Sequence, residues 1–191
     1  MRILKTDIED VLILEADVHG DERGYFIESF SQRDFDREVS FPRYGHSIVF
    51  VQDNESKSCK GVLRGLHFQR PPYAQAKIVA CVQGRIMDYA VDMRVGSPSY
   101  GKHVCAELSE DNHRQLFIPK GFAHGYLTLS DTALFRYKCD EFYHPESEGG
   151  IDILDPALEL QLPDIQYIMS PKDKNWGRLA DSGIVFTYPE R

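Results

Sequence analysis

Residues 76–94 read AKIVACVQGRIMDYAVDMR. After Gly84 the residues alternate: Met87, Tyr89, Val91 and Met93 share one side, and Ile86, Asp88, Ala90, Asp92 and Arg94 share the other. A period of two is that of a β-strand, here with one apolar face and one partly ionic face. The apolar run before Gly84 is rich in β-branched residues, and the glycine between the runs predicts a hairpin pivot. Working outward, the same signature recurs in SIVFVQ (47–52), GVLRGLHFQ (61–69), KHVCAELS (102–109), RQLFIP (114–119), AHGYLTLS (123–130) and ALFRYKCDEFY (133–143). Short strands punctuated by Gly, Pro, Asn and Asp predict a mainly β architecture, a jelly-roll barrel. SQRDFDREV, near 31–39, is the best helix candidate, with Ser31 as a possible cap and Phe35 and Val39 four residues apart. Beyond Glu146 the pattern weakens, with one possible helical turn around SPKDKNW.

The chain has 191 residues, of which 42% are hydrophobic and 12% aromatic, enough to bury a core and better suited to one domain than two. Within it, 1–46 is expected to supply N-terminal strands and a helix, 47–143 the jelly-roll core and 144–191 a C-terminal extension. A net charge of −8 argues against non-specific nucleic-acid binding, while a locally basic pocket could still hold an anion. No stretch approaches the roughly eighteen apolar residues of a membrane span. The opening MRILKTDIEDVLILE is broken by charges and lacks a small-residue cleavage site, so a cytoplasmic protein is expected. Cys59, Cys81, Cys105 and Cys139 are too widely spaced for a CxxC pair and are expected to be reduced, mostly buried thiols.

Among chemistry-bearing residues, His67 sits inside the apolar run RGLHFQ. A strand in a barrel wall can hold an imidazole rigidly against a ligand, yet the motif alone fits a packed core histidine equally well. His67 and His124 could share the barrel interior as metal ligands. However, the residue two beyond His67 is Gln69, and no Glu or Asp lies between Gln69 and Gly84, so no functional metal is expected. A base would need a carboxylate to fix its tautomer, which spacing cannot identify, and an acid across the substrate. Tyr137 in ALFRYK could be that acid or simply a packing aromatic. Arg23, Arg64, Lys77 and Lys172 could meet an enolate or a phosphate, although most such cations are merely solvated.

Taken together and in order, DERGYFIESF, FVQDNESKS, GVLRGLHFQ, QAKIVACVQGRIMDYAVDMR, FIPKGFAHGY, LFRYKCDEFYHPESEGG and SPKDKNWG resemble the dTDP-4-dehydrorhamnose 3,5-epimerase family, over about residues 3–178. The resemblance implies a cupin jelly roll with short peripheral helices and neither metal nor organic cofactor. It also implies a homodimer whose N-terminal strands cross to the partner. The implied activity is epimerisation of a nucleotide-linked 4-keto-6-deoxyhexose, dTDP-4-dehydro-6-deoxy-D-glucose, at C3 and C5 in rhamnose biosynthesis. By the same resemblance His67 is the base, Asp173 in SPKD its carboxylate partner and Tyr137 the acid. Substrate contacts are implied for Arg23, Glu28, Gln52, Asn54, Arg64, Lys77, His124, Glu148 and Lys172, with Tyr143 stacking on the thymine. Ala80 and Tyr89 depart from the family pattern, where arginine and valine are usual. A single-centre epimerase would use the same base and acid, and a non-catalytic nucleotide-sugar-binding cupin would keep Arg23, Arg64 and Tyr143. Strict alternation places Arg64 and His67 on opposite faces, so if both meet a ligand the register must break, and Gly65 is the expected place.

Overall fold

In the computed structural model, residues 1–183 and 186–188 are described. Two antiparallel sheets face each other. One has the order β1 (Arg2–Lys5), β2 (Leu12–Glu15), β10 (Arg114–Ile118), β7 (Lys77–Gln83), β12 (Thr132–Cys139), β5 (Gln52–Cys59). The other runs β13 (Glu148–Gly150), β6 (Leu63–Gln69), β11 (Phe122–Thr128), β8 (Arg85–Asp92), β9 (His103–Ser109). Successive strands repeatedly change sheet, which is the jelly-roll connection. A separate hairpin, β3 (Val18–Asp21) and β4 (Gly24–Ile27), stands apart from both sheets.

The strand alternation determines three apolar layers. Between the sheets lie Val79, Ile86, Ala90, Leu108, Leu116 and Phe135, among others. The outer side of the five-stranded sheet carries Leu63, Tyr89, Val91 and Met93, and the C-terminal segment covers it with Ile151, Ile153 and Leu158. The outer side of the six-stranded sheet is capped by the helical segment 32–44, whose Phe35 and Val39 are fully buried against Leu14, Ile78 and Phe117. Ser31 caps this segment by accepting from the Asp34 N–H, as expected. A π turn, Asp36–Ser40, carries Val39, the segment continues to Tyr44, and Gly45 ends it in the left-handed region.

Three expectations are corrected. Gly84 does not pivot a hairpin: β7 and β8 belong to different sheets, and Gly84, at φ +76°, turns the corner between them. A Cβ there would lie 2.1 Å from the Thr132 carbonyl, so the close approach itself demands glycine. The first core strand is not SIVFVQ but Gln52–Cys59, a polar edge strand, while 47–51 enter it outside any ladder. Finally, the thiols are free but not mostly buried, since Cys59 and Cys105 are exposed. The break expected at Gly65 is present. His67 pairs with His124 and Arg64 with Tyr126, so three steps along β6 match two along β11. Gly65 has φ +108°, and a Cβ on it would stand 2.7 Å from both the Gly125 Cα and the His124 carbonyl oxygen.

Candidate active site

The Gly65 bulge turns Arg64 and His67 into the same cleft, a cavity of about 390 Å³ between the two sheets. Its lining brings together Gln52 and Asn54 of β5, Arg64 and His67 of β6, Lys77 of β7, His124 of β11, Tyr137 of β12, and Tyr143, Glu148 and Lys172. Histidine and tyrosine therefore stand on opposite walls, His67 on the five-stranded sheet and Tyr137 on the six-stranded one.

Asp173 reaches His67 from the C-terminal extension. The His67 Nε2–H donates to its Oδ1 over 2.5 Å, leaving Nδ1 for the cleft. The carboxylate is almost fully buried, and its second oxygen accepts from the Ser170 hydroxyl at 2.9 Å. Ser170 also accepts the Asp173 backbone N–H, so SPKD is a local turn that fixes its own aspartate. Burial alone would raise the Asp173 pKa, but the His67 and Ser170 hydrogen bonds and the Lys172 charge outweigh it, and the pKa falls below the usual range. Trp176 packs edge-on against the His67 ring, with centroids 6.2 Å apart. Gly150, the ladder partner of His67, gives it room, since a Cβ there would lie 2.4 Å from the indole.

On the facing wall, burial raises the Tyr137 pKa, reinforced by Cys139 and Tyr126 and opposed by Arg64, so the phenol keeps its proton at neutral pH. At the cleft floor, His124 places Nε2 3.0 Å from both oxygens of the fully buried Asp88. The Lys77 ammonium forms no hydrogen bond or ion pair among the described residues, and burial lowers its pKa. At the mouth, Glu148 accepts from Lys172 at 2.5 Å and from the Tyr143 hydroxyl at 3.0 Å. Lys172 is thus paired with Glu148 rather than free. Arg64 is exposed to the cleft and donates only long hydrogen bonds, 3.3 Å, to Ser58. Gln52 donates to Asn54, and its carbonyl accepts the Tyr143 N–H.

Two residues named from the sequence lie elsewhere. Arg23 is exposed in the β3–β4 turn, held by Asp21, and Glu28 follows that hairpin; neither lines this chain's cleft. Asp88, Ser170 and Trp176 were not singled out. An aspartate amid apolar residues was the available signal for Asp88, and S-x-x-D for Ser170. Gln69, at the position that a metal-binding cupin gives to histidine, spends its amide on the Tyr73, Phe142 and His144 backbone. Among the described residues no group of three or more His, Cys, Asp or Glu could hold a metal ion. A larger depression of about 1450 Å³ lies by the helical segment, but its Arg94 is tied to Asp92 and Asp10 and its Lys120 to Asp140.

A family model described as dTDP-4-dehydrorhamnose 3,5-epimerase matches residues 5–181. The dTDP-4-dehydrorhamnose 3,5-epimerase of Escherichia coli K12 is 53% identical, over 91% of this chain and 92% of its own. A Streptomyces niveus protein named dTDP-4-dehydrorhamnose 3-epimerase is 35% identical, over 98% of this chain and 90% of its own. Among solved structures, a dTDP-6-deoxy-D-glucose-3,5-epimerase from Legionella pneumophila, in complex with dTDP-4-keto-L-rhamnose, superposes with a TM-score of 0.91 at 45% identity, covering 98% of each chain.

Proposed function

The chain belongs to the dTDP-4-dehydrorhamnose 3,5-epimerase family, and from that membership we propose that it converts dTDP-4-dehydro-6-deoxy-D-glucose to dTDP-4-dehydro-L-rhamnose. It is an isomerase acting on a nucleotide-linked sugar. The observation that carries the mechanism is the His67–Asp173 contact facing Tyr137 across one cleft. The C4 ketone acidifies the hydrogens at C3 and C5. Nδ1 of His67 takes one of them, the C–H electron pair becomes a double bond to C4, and the carbonyl pair moves to O4 as an enolate. Tyr137 then returns a proton to the opposite face of the same carbon, which inverts it. Exchange with water resets both groups before the second centre is inverted.

Asp173 orients the imidazole and balances its charge once it is protonated. Lys77 meets the enolate oxygen, an interaction stronger in the transition state than in the ground state. Arg64 and Lys172 serve the diphosphate, and Tyr143 offers its flat face to the base. His124, Gln52, Asn54 and Glu148 complete the contacts. Arg23 and Glu28 reach the cleft from a second subunit: their hairpin leaves its own cleft and exposes Tyr25 and Phe26, 58% and 69% accessible, as a swapped arm requires. The active form is accordingly a homodimer of one cupin domain per chain, residues 1–191, working in the cytoplasm without metal or organic cofactor.

Incubation with substrate in deuterated water tests the reaction. Label at both C3 and C5 is expected; label at C3 alone would make the protein a single-centre epimerase, and no label would remove the activity altogether.

A further inference from the structure

We propose that Asp88 is a positioning residue that holds His124 as an imidazolium, so that His124 and Lys77 together form one oxyanion site for O4 of the enolate. The inference rests on the epimerase reading above and adds a second histidine–carboxylate pair to it.

His67 and His124 are direct cross-strand partners on β6 and β11, so the two imidazoles stand side by side facing one cleft. In both, a carboxylate takes Nε2 and leaves Nδ1 for the ligand. The two carboxylates differ in placement. Asp173 comes from the extension and also accepts from Ser170. Asp88 lies within β8, fully buried, with His124 as its hydrogen-bond partner among the described residues and both oxygens 3.0 Å from the same nitrogen. A buried carboxylate with so little other support needs a cation, and the adjacent ring can become one by keeping both its protons.

The charges then add up to a purpose. With His124 protonated against Asp88 and with Glu148 balanced by Lys172, Lys77 is the positive charge at the cleft floor that has no anion of its own. Burial raises the Asp88 pKa and lowers that of Lys77, and each opposes the other's shift. The cluster is thus incomplete without one further negative charge, and the enolate is that charge. C3 and C5 both flank C4. Whichever C–H bond breaks, its proton goes to His67 and its electron pair drives the negative charge to the same O4. One oxyanion site therefore serves both inversions, whereas a second base would serve only one. An imidazolium has no lone pair with which to act as that second base.

The test is Asp88→Asn, which keeps shape and an acceptor but removes the charge. In deuterated water with dTDP-4-dehydro-6-deoxy-D-glucose, kcat is expected to fall roughly 10²- to 10³-fold with KM changed only about two-fold. Label at C3 and at C5 should fall by the same factor. Loss of exchange at one centre only would make His124 a base for that centre and overturn the proposal, as would an unchanged kcat. A second measurement needs no variant: the ¹⁵N ring shifts of His124 in the wild-type protein are expected to be those of an imidazolium at neutral pH, and a neutral ring would overturn the proposal even if Asp88→Asn did not fold. Wild-type protein giving no label would instead defeat the epimerase reading itself.

Discussion

In the proposed mechanism His67 is a directed base, with Asp173 on its Nε2 and Nδ1 left to meet the sugar. Positioned acid–base groups contribute about 10²- to 10⁴-fold each, so Tyr137→Phe and His67→Ala are each expected to lower kcat within that range. Because the Tyr137 side chain is only partly buried in a cleft, the circular dichroism melting curve of Tyr137→Phe should move little, whereas His67→Ala also removes the main partner of the buried Asp173 and should melt lower. Asp173 ties the extension to the sheet. A free aspartate titrates near about 3.9, and Asp173 lies lower when folded. Its contribution to stability is therefore complete above about pH 4 and is lost as the pH falls through the lower folded value. The melting-temperature gap between wild type and Asp173→Asn should be widest near neutrality and close on acidification; a gap that grew in acid would contradict the shift. That His67, Tyr137 and Asp173 would come together was legible in the sequence through family strings. Asp88 and Trp176 were not, because which carboxylate or ring meets a histidine depends on cross-strand register and on how the extension folds back.

At the level of elements, the site depends on one irregular step in β6. Arg64 and His67 share a cleft only because the strand gains a residue at Gly65, where a side chain would collide with Gly125 and the His124 carbonyl. Gly65→Ala should destabilise the protein by about 1–3 kcal/mol or more and weaken dTDP binding measured by calorimetry, since Arg64 and His67 would no longer align. Unchanged binding would show that the bulge does not set the site. This break was readable once the resemblance gave both residues a ligand contact, because two residues three apart in a regular strand cannot share a face. Gly84 misled because a glycine of positive φ suits a hairpin and a sheet-to-sheet corner equally, and only the pairing of β7 with β10 and β12 distinguishes them. The strand Gln52–Cys59 escaped notice for a related reason. It forms the sheet edge and turns polar residues toward the cleft, so it lacks the apolar face that marks a strand in sequence.

For the whole molecule, the order of layers explains why the reacting groups come from distant parts of the chain. Helix, six-stranded sheet, five-stranded sheet and C-terminal cover each bury an apolar face, and the cleft opens between the two middle layers. If a partner's hairpin supplies Arg23, two inactive proteins should restore each other. Mixing Arg23→Ala with His67→Ala under subunit exchange would give about a quarter of all sites an intact pair, and activity should recover toward that fraction. A protein that uses its own Arg23 would recover none. The expectation of a partner arm came from the family strings.

The sole tryptophan of the chain is Trp176, and it lies against the ring of His67. Its emission should therefore act as a built-in optical probe of the dyad, free of any attached label. During refolding from denaturant, the blue shift of that emission is expected to develop at the rate at which activity returns, since the segment that brings the indole into place is the one that brings Asp173. Emission recovering well ahead of activity would mean that the indole settles before the carboxylate does.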